Sequence, residues 1–194
     1  MSIFFSGRLA TQDALPDPDA RIGYNVAKDK AYIGYKCHVI VGNTSHAIYG
    51  ILITPANTGD AKYFIPLMEQ ALARELLNNI TQVHGDCAYH VEINLDWLNT
   101  RPYDCKFHDK SESGLLRTNK RSGRKKSRIR SVIEALFGIA KNNLTFEKPL
   151  VRGTTAVQVD TNLIFTAWNL FMVFARLENR WMDRISVKKL FNKR

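Results

Sequence analysis

Three charged residues share one edge of an otherwise apolar stretch: in RSVIEALFGIAK, Arg130, Glu134 and Lys141 stand at offsets of zero, four and eleven. At about 100° per residue those offsets return to nearly the same azimuth, a stripe roughly 40° wide on a helix. Val132, Ile133, Leu136, Phe137, Ile139 and Ala140 take the opposite side, which predicts an amphipathic helix docked on a core. Taken alone, the edge is a solvated face with an Arg-Glu pair worth about 0.2–0.5 kcal/mol. A second acid changes what it can do. Asp86 falls where ITQVHGD should end as a strand, a common place for ligand-handling groups in α/β sheets. The carboxylates of Asp86 and Glu134 suit Mg²⁺ or Mn²⁺, hard cations that prefer oxygen and keep positions open for phosphate and water. Ions held there would activate a water or a 3′-hydroxyl for in-line displacement at phosphorus. Arg130 and Lys141 would bind the flanking phosphates.

The charge of the chain points to the same partner. A formal net charge of +10 over 194 residues implies a polyanion, most simply DNA. Eight Lys or Arg and no acid lie between Arg117 and Arg130, in LLRTNKRSGRKKSRIR, with Gly123 and several Ser or Asn to keep the segment loose. Most such runs are merely solvated. This one leads into the helix that carries Glu134, so Arg124, Lys125, Lys126 and Arg128 would converge with Arg130 on one phosphate backbone.

The elements that must position these residues follow from pattern. TQDALPDPDAR (11–21) is rich in turn formers and reads as an exposed connector. YIGYKCHVIV and HAIYGILIT, separated by GNTS, predict a hairpin. PANTGD supplies a loop and a helix start, with Asp60 expected as the N-cap. AKYFIPLMEQALARELL then has apolar residues at helical spacing, ITQVHGD a short strand, VEINLDWLN a helix and YDCKFH another strand. The last long segment, TTAVQVDTNLIFTAWNLFMVFARLENRW, predicts a helix, followed by a basic tail. Strands in a hairpin and then alternating with helices give an α/β layer architecture.

These residues resemble the DDE transposases of bacterial and archaeal insertion sequences, in particular those with a Tyr-Arg-Glu-Lys signature in the last catalytic helix. That signature, Y-x2-R-x3-E-x6-K, is met by Arg130, Glu134 and Lys141, with Ser127 in the tyrosine's place. GYKCHVIV looks like the family's Gly-Tyr-Lys-x-His strand, ITPANTGD like its Thr-x-Ala-Asn element, and GDCAY like the segment of the second catalytic Asp, which lands on Asp86. The WNLFMVFARL helix is similar to the usual C-terminal end, so the likeness runs over roughly residues 17–177. It implies a ribonuclease-H-like mixed sheet flanked by helices over 1–177, with 178–194 as a basic C-terminal tail. It also implies two Mg²⁺ or Mn²⁺ ions, hydrolysis at a transposable element's ends and strand transfer into target DNA, by a homo-oligomer associated with the nucleoid. Metal ligands by this likeness are Asp86 and Glu134; Ser127, Arg124, Lys125, Lys126, Arg128, Arg130 and Lys141 would meet DNA. The family's first catalytic Asp lies on a first strand ahead of the hairpin, and no equivalent acid is found. If MSIFFSG is that strand, Ser6 stands near the expected carboxylate; otherwise the strand is missing. The expectation is a transposase-derived chain, truncated or decayed, with little activity alone, or else a DNA-binding protein or transposition inhibitor without chemistry.

Other readings are weaker. His84-x2-Cys87 and Cys105-x2-His108 have a spacing not far from that of structural zinc sites. Three cysteines form an odd set that suits a reducing cytoplasm better than a disulfide framework. LIFTAWNLFMVFA, broken by Thr166 and Asn169, falls short of the roughly 20 apolar residues of a membrane span and reads as a buried helix. His38 and His46 are expected to be structural, and Trp97, Trp168 and Trp181 to lie in the core or at an interface.

Overall fold

The computed structural model describes residues 2–5, 17–25, 29–78, 80–107, 133–134, 136–141, 146 and 149–178. They fall into two compact units, one of Met1–Phe5, His38–Gly50 and Gly59–Glu134, the other of Ser6–Cys37, Ile51–Thr58 and Ala135–Arg194. Two long strands, β3 (Lys30–Val41) and β4 (Ile48–Pro55), contribute to both.

In the first unit β1 (Ser2–Phe5) lies between two neighbours of opposite sense. It pairs antiparallel with β3, from Ser2 opposite Val41 to Phe5 opposite His38. On its other side it runs parallel to β5 (Gln82–Gly85), with Ser2 opposite His84 and Ile3 opposite Gly85. β6 (Asp104–Phe107) extends the parallel part, Val83 facing Cys105 and Gly85 facing Phe107. Within this unit the path runs β3-β1-β5-β6, and β4 also pairs with β3. Of the two expectations for MSIFFSG the strand is the one found. Cys37 to Val41 are all buried, as a strand covered on both faces requires. Parallel strands need a crossover, and α2 (Glu92–Asn99) supplies it between β5 and β6.

The loop after β4 departs from expectation. Gly59, not Asp60, occupies the cap position of the 3-10 turn Asp60–Tyr63, and no side chain caps it. The turn runs into α1 (Phe64–Leu72), which buries Phe64, Leu67, Met68 and Ala71 at i, i+3, i+4 and i+7. Pro66 is accommodated because it sits in the first turn, where its missing N–H has no intrahelical partner to lose. The apolar pattern continues to Leu77, yet the helix stops sooner. Glu75 adopts a left-handed conformation, φ 57°, and the Leu76 N–H donates back to the Ala71 carbonyl at 3.1 Å. Such a closure normally uses glycine; here it turns Leu77 into the core.

In the second unit β2 (Arg21–Asn25) pairs antiparallel with the start of β3. Gly23 faces Tyr32, whose ring lies where a Cβ would be, 2.8 Å from its ideal position. The long helix α3 (Thr154–Leu177) buries Val157, Thr161, Phe165, Trp168, Met172 and Ala175. Phe165 packs against Phe137 and Phe146, ring centroids 6.3 and 5.3 Å away. Gln158 of α3 accepts the Ile53 N–H at 2.7 Å, satisfying a β4 backbone donor with a side chain.

The DPD stretch is an anchor for α3 rather than a free turn. Asp17 accepts from the Gly153 N–H through both oxygens at 3.2 Å and from the Tyr35 hydroxyl at 2.6 Å. Asp19 accepts from the Thr154 N–H at 2.8 Å. Both therefore satisfy donors at an N-terminus where negative charge is favoured and where Gly153 offers no side chain. Burial opposes ionisation of Asp17, but the hydrogen bonds from Tyr35, Asp19 and Gly153 win and hold its carboxyl below the ordinary range. Burial, then the bond to Asp17, pushes the Tyr35 hydroxyl up.

Candidate active site

Asp86 is the first residue beyond β5, in extended conformation, φ −73° and ψ 163°. Its Oδ1 accepts the Cys87 N–H at 2.7 Å and its carbonyl accepts the Tyr89 N–H at 3.0 Å, so it caps the 3-10 turn Cys87–Tyr89. That turn is fastened beneath. Tyr89 is fully buried, its hydroxyl 3.1 Å from His38 Nδ1, and the His38 ring stacks on Tyr63 with centroids 5.4 Å apart. Asn94, also buried, donates its side-chain amide to the carbonyls of Tyr89 and Ala61 at 3.1 Å each. The turn after β4, the turn after β5 and α2 are thus tied together, and Asp86 is held half-exposed at their edge.

Gly85 sets the approach to that position. A Cβ there would lie 2.7 and 2.8 Å from two atoms of the Phe107 ring, which itself meets the buried Phe64 edge-on at 5.2 Å. Trp97 closes the same cluster, edge-on to Phe64 at 5.9 Å, with the Arg101 guanidinium 3.6 Å from its ring centroid. His38, Tyr89 and Asn94 fasten the turn that carries Asp86, and the sequence did not single them out for it. The signal present was GDCAY, whose tyrosine follows the acid by three and can turn back under it.

Glu134 is in helical backbone, as are Ile133 and residues 136–141. Ile133, Leu136, Phe137 and Ala140 are buried, Glu134 is exposed and Lys141 half-buried, which is the division expected from the spacing. Asp86 and Glu134 belong to the same unit. Ser127, Arg124, Lys125, Lys126, Arg128 and Arg130 lie outside the described residues, as do His108 and Trp181.

The donor chemistry at Asp86 and Glu134 fits a hard divalent cation. Among the described residues no group of three His, Cys, Asp or Glu converges to hold one. The zinc spacing fares worse. Cys105 pairs with Val83, so it shares a sheet face with Val83, while His84 next along β5 points to the opposite face. Burial pushes the Cys105 thiol up.

With this geometry, comparison with known families is decisive. The sequence model of the family described as Transposase DDE domain matches residues 9–170. The chain belongs to the DDE-domain transposases. The matched region of this transposase chain includes Asp86, Glu134 and Lys141 and most of α3, and it begins after β1. No curated protein and no solved structure matches it. No helix among the described residues of the DDE chain is long and apolar enough to cross a membrane.

Proposed function

We propose that this chain binds DNA and carries a partial DDE transposition centre in which Asp86 and Glu134 are the two metal-holding carboxylates. The observation that carries the reading is the placement of Asp86: an acid just past a parallel strand, on a turn locked from below, within a family-matched region. The strand order supports a ribonuclease-H-like core, since an antiparallel β3-β1 pair continues into a parallel β1-β5-β6 part with β1 between them. A divalent ion at Asp86 and Glu134 would supply charge stabilisation and an activated oxygen at phosphorus. The chain's own contribution is to fix the Asp86 carboxylate on a rigid turn and to lay the cations of 117–130 and Lys141 along the phosphates.

Extending the register of β1 supports Phe4 as the position for a third acid. Ile3 is opposite Gly85, so one further step brings Phe4 level with Asp86, and Ser6 follows two residues on. Ser2–Phe5 contains no carboxylate. This favours impaired chemistry, and with it the second reading, a DNA-binding transposase derivative that does not cut.

Nicking of supercoiled plasmid with Mg²⁺ or Mn²⁺ tests both. The wild type is expected to bind DNA and nick it slowly or not at all. Phe4→Asp should raise metal-dependent nicking by about tenfold or more, and this gain should vanish when Asp86→Asn or Glu134→Gln is added. Robust Mg²⁺-dependent cleavage that survives Glu134→Gln would defeat the assignment.

A further inference from the structure

The ribbon formed by β2 and the start of β3 turns its apolar side chains outward. Ile22 stands opposite Ile33 and Tyr24 opposite Ala31, so these four share one face. That face is open: Ile22 is 67% exposed, Tyr24 58% and Ile33 51%. The other face, with Gly23, Tyr32 and Gly34, is the packed one. Ala56 Cβ and the Tyr32 ring each lie 2.8 Å from where a Gly23 Cβ would be, and the Ala56 N–H donates to the Gly34 carbonyl at 3.0 Å. A strand pair with one wet face normally sets polar residues on it. Along β3 the row of Ala31 and Ile33 continues as Tyr35 and Cys37, both buried, so the apolar stripe outruns the core it belongs to. Among the described strands β2 is also an edge, pairing with β3 alone. Edges are normally blunted with charge, and an apolar face kept beside one marks a binding surface.

We infer that this face is a wedge for duplex DNA, entering the minor groove and prising apart one base step. The inference rests on the reading that the chain binds DNA and adds where the duplex is deformed and by which side chains. Charge selects the occupant. From 20 to 34 the sequence holds Arg21, Lys28 and Lys30 against a single acid, Asp29, and Asp29 accepts the Tyr24 hydroxyl. The Arg21 guanidinium donates to the carbonyls of Pro18 and Ala20 at 2.7 and 2.8 Å, which holds it at one end of the pairing, and Lys30 is exposed at the other. A wholly apolar partner has no use for these cations, whereas the minor groove offers apolar sugar edges between two rows of phosphates. Ile22 and Ile33 have no π-face on which an unpaired base could stack, so they suit splitting a stacked step rather than holding a single strand. Pyrimidine–purine steps such as TA yield most readily.

The full chain, without divalent metal, is titrated onto a duplex of about 30 base pairs with 2-aminopurine at a central TA step and a dye at each end. Dye anisotropy and its salt dependence report binding; 2-aminopurine emission and energy transfer between the ends report unstacking and bending. Wild-type protein should raise the emission about twofold or more and bring the ends closer, and a minor-groove-binding polyamide should suppress both. Ile22→Thr with Ile33→Thr keeps β-branched strand formers on an exposed face, so the melting midpoint should hold. That variant should return the emission to that of free DNA with the salt slope unaltered, since the cations remain. Ile22→Val with Ile33→Val, still apolar, should keep most of the signal. Absence of salt-sensitive binding would defeat the DNA reading itself. Salt-sensitive binding by wild-type protein that leaves the step stacked overturns this inference alone and returns the face to a protein partner. A threonine variant that unstacks the step as wild type does, or tighter binding to the single strand than to the duplex, also overturns it.

Discussion

Replacing Gly85 by alanine tests whether the Asp86 platform is packed as described. The added Cβ would sit 2.7 and 2.8 Å from two Phe107 ring carbons, whereas carbon atoms in contact prefer about 3.5–4.0 Å. The ring must therefore retreat by nearly an ångström. It has little freedom to do so, being edge-on to Phe64, which is completely buried between Tyr89 and Trp97. Overpacking of this kind costs about 1–3 kcal/mol, and at about 2–4 °C per kcal/mol for a chain of this size the melting midpoint should fall by about 2–12 °C. Phe107→Leu removes the ring that obstructs the Cβ. In that background Gly85→Ala should cost less, a coupling of at least about 0.5 kcal/mol in a double-mutant cycle by urea titration. A neutral Gly85→Ala, or an equal cost with and without the ring, would refute the packing around β5 and β6.

Three further outcomes follow from particular bonds and charges. Glu75→Gly should stabilise the protein by about 0.5–1 kcal/mol by relieving a left-handed backbone at the end of α1, read as a raised urea midpoint. The lowered pKa of Asp17 means that its contribution is present above its ordinary value of 3.8 and is lost as pH falls through the folded value. Asp17→Asn should therefore flatten the acid limb of the stability-pH curve while leaving the neutral-to-basic limb's shape unaltered. In DNA binding, Arg124, Lys125, Lys126 and Arg128 replaced together by alanine should lower the salt slope of log K by up to about 0.9 for each phosphate that these side chains neutralise.

Much of the scaffold was legible because it rests on period. The division between Ile133, Leu136, Phe137, Ala140 and Glu134 follows from 3.6-residue spacing alone, whereas LIFTAWNLFMVFA, expected as a buried helix, buries only one face and leaves Leu163, Leu170, Val173 and Phe174 exposed. What the sequence hid depends on partners far along the chain. β2 is not legible because Gly23 in its middle argues against a strand until Tyr32 is seen lying over it. Asp17 and Asp19 look like turn residues, since the helix they cap begins about 135 positions later. The end of α1 carries no Gly or Pro to announce it; Glu75 takes the strained role instead. At the candidate site, the strand-end acid is readable, while its support by His38, Tyr89 and Asn94 emerges only when three loops are folded together.

The central claim is that Asp86 and Glu134 share a divalent ion, and calorimetric titration of the DNA-free protein with Mn²⁺ addresses it without requiring turnover. Wild-type protein should bind Mn²⁺, and Asp86→Asn and Glu134→Gln should each weaken that binding by about tenfold or more, with the double variant no worse than the weaker single. Equal Mn²⁺ affinity in all four proteins, or losses that simply add, would show that the two carboxylates do not meet at one ion.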